Sequence, residues 1–454
     1  MKRSNESEQQ PAPVAATPKP VGEPLASPQS LDWVERCVWT EAMLRRLAGG
    51  ESANRIWFTL VDKVYAPANL RRSFEKVWRK RGCAGADRQT VEQFKRNVEE
   101  ELLRLHRQLS EGTYRPQPVR RAWIDKLGTK EQRPLGIPAV RDRIVQAALR
   151  HVLEPIFERE FHEQSYGFRP KRGAKDALRR VVQLMKAGYV HVVDADLKAY
   201  FDTIPHDRLL ALVKARVADG RVLALVEGFL RAGVLEEGRG WQATERGTPQ
   251  GGVISPLLAN IYLNPLDHEM AARGYEMVRY ADDFVILCRT AEEAREALAV
   301  VQAWVESAGL RLHPDKTRQV DTRERGGFDF LGYHFERGHR WPREKSMGKL
   351  KDAIRAKTRR KDGRSLKAVL EDVNATLRGW YEYFQHSVAN VFEPLDGFVR
   401  RRLRSMLEKR RGRTRFGHGT SHQRWPNGWF ARAGLVSLKA MHDWTLAIAK
   451  LRTH

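Results

Sequence analysis

Two adjacent aspartates near the middle of the chain place the strongest constraint on its fold. The stretch EMVRYADDFVILC (276–288) carries Asp282 and Asp283 between two runs of strand-forming residues. Neighbouring side chains in a strand point to opposite faces, so both carboxylates reach one point only if the strands meet in a tight turn. An Asp-Asp pair also commonly caps a surface turn, but the apolar runs on both sides favour a buried hairpin. Since a divalent cation offsets both carboxylate repulsion and lost hydration, the stretch predicts a magnesium-binding hairpin.

A two-metal phosphoryl-transfer site needs a further carboxylate from a neighbouring element. The stretch VVDADLKAYFDTIPHDRLL (192–210) offers Asp194, Asp196 and Asp202 at and after the end of an apolar strand. Asp194 and Asp196 share one face of that strand, so their spacing alone does not choose between them.

The basic composition indicates a polyanionic partner. The 454 residues carry a formal net charge of +25, and residues 341–454 hold 26 Lys and Arg against 10 Asp and Glu, a net charge of +16. Nucleic acid is the leading candidate, and the aromatic residues within this basic region suit base stacking. An anionic membrane surface is the alternative, although no apolar run of about 18 residues is present to span a bilayer.

The cysteine and histidine pattern argues against a structural metal site. Cys37, Cys83 and Cys288 stand far apart without a C-x-x-C pair, which disfavours both a disulfide framework and a cysteine zinc site. The default expectation is therefore a reducing intracellular compartment. His418 and His422 have H-x-x-x-H spacing but no acidic or thiol residue close by in the sequence, so a metal role for them is not favoured.

Hydrophobic periodicity separates several regions. Residues 1–28 have the composition of a disordered tail, and residues 33–109 have helical spacing, with VEQFKRNVEEELLRLHRQL (91–109) as an example. Residues 114–138 predict an extended hairpin with a Gly-Thr-Lys turn, and YVHVVDADL (189–197) and FDFLGYHF (328–335) predict strands among helices. The economical arrangement is an α+β fold with an antiparallel sheet covered on one face by helices.

Several stretches in order resemble the successive sequence blocks of group II intron-encoded reverse transcriptases. They are DLKAYFD, GTPQGGVISPLLANIYLN, RYADDFVIL, GLRLHPDKTR and FDFLGYHF. Upstream, RPLGIPAVRDRIVQAAL and SYGFRPKRGAKDAL resemble the fingers blocks of that family. Downstream, LRGWYEYF and FEPLDGFVRRRLR resemble its thumb, which is the maturase or X region, so the resemblance covers residues from about 35 to about 440.

The resemblance implies a right-hand polymerase of the α+β class, with an antiparallel-sheet palm that bears the YADD hairpin. After the tail at 1–28, we expect helical fingers at 29–185, the palm at 186–338 and a helical thumb or X domain at 339–410. Residues 411–454 resemble the basic DNA-binding segment of such proteins. The sequence ends without a cysteine-bearing nuclease block, which resembles the endonuclease-lacking branch.

By the same resemblance, Asp196 joins Asp282 and Asp283 as a catalytic residue and ligand of a two-metal Mg²⁺ site, with Mn²⁺ as an alternative ion. Asp194 and Asp202 then have supporting roles. No nucleophilic side chain is required, because catalysis is positioning and electrostatic stabilisation.

Two further residues match the family's nucleotide pocket. Phe201, five residues after Asp196, corresponds to the ring that admits a 2′-deoxyribose and clashes with a 2′-hydroxyl. The alternative is that Phe201 belongs to the core. Gln250 in TPQGG corresponds to a position near the incoming nucleotide.

Lys126 and Arg133 resemble the fingers cations that grip the triphosphate. Arginine suits bidentate phosphate contact, and lysine acts as a point charge. The family commonly has proline on both sides of that lysine, whereas this chain has Asp125 and Leu127, which puts Lys126 in doubt.

The implied function is an RNA-directed DNA polymerase that acts with an intron RNA and promotes its splicing and mobility. The partners would be structured intron RNA, an RNA template with a DNA or RNA primer, target DNA and dNTPs, in the bacterial cytoplasm with the nucleoid. The expected nucleic-acid-binding residues are Arg400, Arg401, Arg402, Arg404, Arg413 and Arg415. Two alternatives stay open: a domesticated enzyme of host defence or CRISPR adaptation, and a splicing factor whose polymerase site is unused.

Overall fold

The computed structural model describes residues 31–49, 55–125, 132–412 and 419–451. The chain divides into a unit at 1–33 and a second unit at 34–454. Of the first unit, the described part is the short 3₁₀ turn Leu31–Trp33, and the predicted tail at 1–28 lies outside the described residues. All contacts below belong to the second unit.

The N-terminal region is helical, as its periodicity predicts. Its helices are α1 (Glu41–Ala48), α2 (Val61–Tyr65), α3 (Pro67–Arg79), α4 (Val91–Arg96), α5 (Val98–Glu111), α6 (Val140–Glu158) and α7 (Ala174–Lys186). The stretch expected to form one helix over 91–109 forms two, because Asn97 leaves the helical conformation with φ −119° and ψ 33°. Helix α6 is buried along nearly its whole length and packs against α2, α3 and α11, which makes it the centre of this region.

A small sheet stands beside these helices. Strands β1 (Val119–Asp125), β2 (Gln132–Ile137), β4 (Val234–Glu236) and β5 (Gly240–Gln242) lie in the order β2-β1-β4-β5. The hairpin predicted over 114–138 is confirmed, since β1 and β2 pair antiparallel up to Asp125 opposite Gln132. Its turn, which contains Lys126, lies outside the described residues.

The central sheet contains the predicted aspartate hairpin. Strands β3 (His191–Asp196), β6 (Glu276–Tyr280), β7 (Asp283–Cys288) and β8 (Arg318–Asp321) form an antiparallel sheet in the order β6-β7-β3-β8. The helices between these strands are α8 (Tyr200–Thr203), α9 (His206–Lys214), α10 (Gly220–Arg231), α11 (Ser255–Ala272) and α12 (Ala291–Ser307).

This sheet is covered on both faces, which corrects the expectation of a sheet covered on one. Helix α11 packs against β6, α12 packs against β3 and β7, and α7 packs against β6 and β7. The residues Val285 and Leu287 join the apolar side of α7 in one core, while the alternating Phe284 and Ile286 are equally buried. Because side chains alternate along a strand, burial of both sets means that both faces are covered.

The C-terminal region begins with a three-stranded meander and continues as helices. The meander is β9 (Phe328–Phe330), β10 (Tyr333–Glu336) and β11 (His339–Pro342), and β9 packs against β3 and β7. The helices are α13 (Glu344–Lys357), α14 (Leu366–Phe384), α15 (Phe392–Arg410), α16 (Thr420–Arg424), α17 (Asn427–Arg432) and α18 (Leu438–Leu451). One apolar core runs from Leu350 through Phe392 to Leu438.

Among the helices in the described parts of the chain, none combines the length and the apolar character that crossing a bilayer requires.

Asp396 ties the last helix to this core. Its buried carboxylate accepts hydrogen bonds from Ser437 Oγ at 2.6 Å, Leu438 N at 2.8 Å and Lys439 N at 3.1 Å. The first turn of a helix has amide groups without an intrahelical acceptor, so Asp396 on α15 caps the start of α18.

We expect Asp396→Ala to loosen α18 selectively. Removing the carboxylate leaves buried donors unpaired, which costs about 1–3 kcal/mol. Amide hydrogen exchange of α18 should therefore accelerate while that of α6 stays unchanged. The control is Asp443→Ala, which removes an exposed carboxylate from α18 itself. Equal exchange rates in α18 for both variants would contradict the capping role.

Candidate active site

The two adjacent aspartates lie at a two-residue hairpin turn. Tyr280 at the end of β6 pairs with Asp283 at the start of β7, which leaves Ala281 and Asp282 as the turn. Ala281 has φ +62°. A positive φ at the first turn position matches the twist of the strands, but it is unfavourable for a residue with a Cβ atom. The surrounding structure must therefore hold this turn in place.

Arg279 provides much of that support. Its guanidinium is fully buried and donates to the carbonyl of Ala281 at 2.9 Å. It also donates to Asn260 Oδ1 at 3.0 Å, Ser165 Oγ at 2.8 Å and Asp267 Oδ1 at 2.7 Å. Helix α11 supplies both the neutralising carboxylate and the amide, so the hairpin turn is fixed to α11 through a buried charge pair.

The sequence reasoning gave Arg279 no role. A charged residue inside an apolar strand pattern was the available signal, because a fully buried arginine requires a partner.

A second backbone segment packs against the same turn. The amide of Tyr166 donates to the carbonyl of Arg279 at 2.8 Å, and the amide of Arg279 donates to the carbonyl of Gln164 at 2.8 Å. Directly after this pairing, Gly167 approaches so closely that a Cβ atom there would overlap the backbone nitrogen of Ala281. Glycine at this position permits the contact because it has no side chain.

The strand register brings Asp196 to the hairpin. Asp196, the last residue of β3, lies directly opposite Asp283, whereas Asp194 lies opposite Val285. Directly opposed residues in an antiparallel pair have their Cβ atoms about 5 Å apart. Asp194 instead accepts a hydrogen bond from Arg318 Nε at 3.2 Å, one strand away. The tertiary structure thus separates two aspartates that the sequence spacing left equivalent.

The neighbouring carboxylates repel one another, and this repulsion shifts their pKa values. Burial, with the charges of Asp194, Asp282 and Asp196, raises the pKa of Asp283 to about 7. Burial also raises the pKa of Asp194 to about 6, although Arg318 opposes that rise. A cation bound beside Asp283 would displace its proton near neutral pH and relieve the repulsion.

The donor chemistry of this cluster fits magnesium. Within the described residues, no three His, Cys, Asp or Glu side chains form a ready-made metal cluster. Mg²⁺ in phosphoryl-transfer sites usually binds one or two carboxylates and completes its shell with water and substrate phosphates. Asp196 Oδ2 meanwhile accepts a hydrogen bond from Lys316 Nζ at 2.5 Å, which offsets part of the negative charge.

Phe201 and Gln250 are joined by one loop. Phe201 is half-buried on α8, and its carbonyl accepts a hydrogen bond from the amide of Thr248 at 2.7 Å. Gln250 Nε2 donates a hydrogen bond to Asp202 Oδ2 at 3.3 Å. The backbone carbonyl of Gln250 accepts a hydrogen bond from the amide of Gly136 on β2 at 2.6 Å. The loop therefore connects α8, which follows β3, with the β1–β2 hairpin.

A cavity of about 320 Å³ opens between this loop and the small sheet. Its charged and amide lining residues are Arg121, Asp202, Glu236, Arg239, Gln242, Arg246 and Gln250. The three arginines were missed by the sequence reasoning, because Arg121 on β1 is far in the chain from Arg239 and Arg246, which flank β5.

The remaining predicted cations fall into different environments. Arg133 pairs through its backbone with Ile124 in the β1–β2 hairpin, while Lys126, Arg413, Arg415 and His418 lie outside the described residues.

On α15, Arg401 is exposed, Arg400 is half-buried, and Arg402 donates to the Thr358 carbonyl at 2.9 Å. Arg404 is buried and donates to the Trp425 carbonyl and to Asn427 Oδ1. Its guanidinium holds α16 and α17 against α15, so Arg404 is excluded from a nucleic-acid-binding surface.

Comparison with known proteins agrees with this architecture. The family model "Reverse transcriptase (RNA-dependent DNA polymerase)" matches residues 124–335, and "Group II intron, maturase-specific domain" matches residues 347–425. Protein YkfC of Escherichia coli is 38% identical over 276 residues, and the match covers 52% of this chain and 71% of that protein. The chain belongs to the group II intron-encoded reverse transcriptase family. The predicted family and the α+β polymerase fold are thereby confirmed.

Intron-encoded proteins are among the other relatives of this reverse transcriptase. The group II intron-encoded protein LtrA of Lactococcus lactis is 37% identical over 234 residues, which cover 50% of this chain and 38% of LtrA. Nuclear intron maturase 2 of Arabidopsis thaliana is 29% identical over 231 residues, which cover 42% of this chain and 31% of that protein. The match thus spans well under half of these two relatives.

We expect Gly167→Ala to impair reverse transcription by displacing the aspartate turn. A misplacement of about 1 Å at a catalytic group can cost about 100-fold in rate, so we expect a loss of at least about tenfold in primer extension. The control is Gly379→Ala in α14, where an added Cβ meets no atom within 4 Å and should not reduce stability. Normal activity in Gly167→Ala would show that the turn tolerates this displacement.

Proposed function

We propose that Asp196, Asp282 and Asp283 are the catalytic carboxylates of this reverse transcriptase and hold two Mg²⁺ ions, with Mn²⁺ as a substitute. The single observation that carries the proposal is the strand register, in which Asp196 lies opposite Asp283 beside the turn that bears Asp282. When bound, the ions lower the cost of ionising the primer 3′-hydroxyl and stabilise charge on the phosphate oxygens.

The protein's own residues position the reactants. Arg279 and Gly167 fix the turn, so Asp282 and Asp283 need little reorganisation when substrate binds. Lys316 pairs with Asp196 before substrate arrives and keeps this carboxylate beside the end of β3. Asp194 has a separate role, in which its contact with Arg318 joins β3 to β8.

The cavity of about 320 Å³ is our candidate for part of the dNTP site. Arg121, Arg239 and Arg246 give it the positive charge that a triphosphate requires, and guanidinium groups suit bidentate phosphate contact. Phe201 would lie under the sugar and exclude a 2′-hydroxyl, while Gln250 would contact the nucleotide from the loop. Lys126 and Arg133 stay in the proposal as further triphosphate contacts from the β1–β2 hairpin.

The C-terminal region is proposed to bind the intron RNA and promote its splicing and mobility. Its support is the maturase-specific match at 347–425 together with the net charge of +16 over 341–454. Arg400, Arg401 and Arg402 on α15, with Arg413 and Arg415 beyond it, are the proposed phosphate contacts. The protein would also bind the RNA template, its primer and the target DNA. We place it in the bacterial cytoplasm, in association with the nucleoid.

We propose the domains as fingers at 29–185, palm at 186–338, thumb at 339–410 and a basic DNA-binding segment at 411–454. One apolar core contains residues from Leu350 to Leu438, so the proposed thumb and the basic C-terminal segment would fold together.

Exchange of Asp196 for asparagine tests the catalytic assignment. We expect Asp196→Asn to lower the rate of Mg²⁺-dependent cDNA synthesis on a primed RNA template by several orders of magnitude. The matched control is Asp194→Asn, two residues earlier on the same face of β3, which should stay within about fivefold of the natural chain because Arg318 remains solvated. A larger loss in Asp194→Asn than in Asp196→Asn would reverse the assignment.

A double variant separates polymerisation from splicing. RNA-fold stabilisation needs phosphate contacts and shape matching rather than catalytic metals, so Asp282→Asn with Asp283→Asn should abolish cDNA synthesis and keep splicing. Splicing of the cognate intron precursor and primer extension would be measured on the same preparation. Parallel loss of both activities, with an unchanged melting temperature, would refute two separate surfaces.

A further inference from the structure

The C-terminal region contains a second cavity, of about 760 Å³, that lies outside the candidate active site. It is enclosed by β11, by α13, by the segment before α15 and by α15 itself. Its volume falls within the range of about 300–1,000 Å³ that is typical of sites for small organic groups. The residues that carry the argument are His339, Trp341, Met347, Lys351, Phe398 and Arg401.

These residues divide into an apolar interior and a cationic opening. Met347 and Lys351 are four apart on α13, and Phe398 and Arg401 are three apart on α15, so each helix presents one apolar and one basic side chain to the same face. Trp341 contributes an aromatic ring from β11. The cavity therefore combines rings with positive charge.

The groups beside Phe398 are mainly cationic. The exposed guanidinium groups of Arg355 and Arg401 lie 5.4 Å and 5.7 Å from the centre of its ring, and Arg355 also pairs with the exposed Asp352. Among the described residues that line the cavity, none is aspartate or glutamate. Phosphate would be attracted to this opening, whereas an acidic lining would be needed to favour a basic peptide.

Nucleic acid is the occupant that uses both features. Unpaired bases stack on aromatic side chains, and arginine and lysine neutralise the adjoining phosphates. A fully paired duplex keeps its bases inside the helix and offers only the phosphates. We propose that this cavity binds one unpaired nucleotide of the RNA, with its base against Trp341 and Phe398 and its phosphate at Lys351 and Arg401. This inference depends on the proposed RNA-binding function.

The test compares two RNA hairpins that differ by one bulged uridine. Because base stacking on aromatic side chains favours binding, we expect the natural chain to bind the bulged hairpin about tenfold more tightly than the paired one, which corresponds to about 1.4 kcal/mol. When the bulged base is 5-iodouridine, irradiation should attach it to Trp341, Met347 or Phe398, as mapped by peptide mass spectrometry. The paired hairpin should give no such adduct.

Matched variants connect the preference to the cavity. Phe398→Leu and Trp341→Leu should each abolish the tenfold preference and leave binding of the paired hairpin nearly unchanged. Trp444→Leu is the control, because Trp444 is a highly exposed tryptophan on α18 that does not line the cavity. Lys351→Gln and Arg401→Gln keep the apolar interior intact and should weaken binding of the bulged hairpin more than that of the paired one.

The outcomes separate this proposal from the function on which it depends. Equal affinity for both hairpins, in a preparation that extends primers and binds RNA, would overturn the cavity proposal alone. Absence of both RNA binding and primer extension would overturn the proposed function and this inference with it. Adducts that map only outside the cavity, or a cavity variant that changes the oligomeric state instead of RNA affinity, would assign the cavity to another occupant and refute the proposal.

Discussion

The buried ion pair between Arg279 and Asp267 holds the aspartate hairpin in a conformation that its own backbone disfavours. The Arg279 guanidinium donates hydrogen bonds to the turn carbonyl of Ala281, to the carboxylate of Asp267 and to the hydroxyl of Ser165. Removing one partner of a buried pair leaves an uncompensated charge and typically costs about 3–5 kcal/mol. The pair therefore couples the packing of α11 on the central sheet to the position of Asp282 and Asp283, and the close approach of Gly167 to Ala281 adds a steric boundary.

The carboxylate cluster is itself a source of instability. Asp283 is half-buried, and its pKa is raised to about 7 by its partial burial and by its acidic neighbours. In a purely structural sheet, such a position would favour an apolar residue. Local features that oppose stability persist where function requires them, and the proposed divalent cation would supply the missing positive charge here.

The basic C-terminal region shows why charge in a sequence does not translate directly into a binding surface. Neighbouring arginines of α15 have different tasks: Arg401 is exposed beside Phe398, Arg402 binds the carbonyl that follows α13, and Arg404 holds α16 and α17. Helical geometry turns successive residues by about 100°, so a run of arginines is distributed around the helix. Only part of the net charge over 341–454 is therefore available to phosphate.

The sequence alone determined the features that depend on local pattern. Two apolar runs of strand-forming residues around adjacent aspartates predicted the Asp282–Asp283 hairpin, and the ordered blocks predicted the polymerase fold and the family. It could not determine the features that depend on contacts between distant stretches. The placement of Asp196, rather than Asp194, opposite Asp283 follows from the β3–β7 register, and the role of Arg279 follows from its approach to Asp267 and Ser165. The burial of Arg404 and the cavity beside Phe398 require α15 to be packed against its neighbours. Such contacts join residues that have no fixed spacing in the chain, so only the tertiary structure decided them.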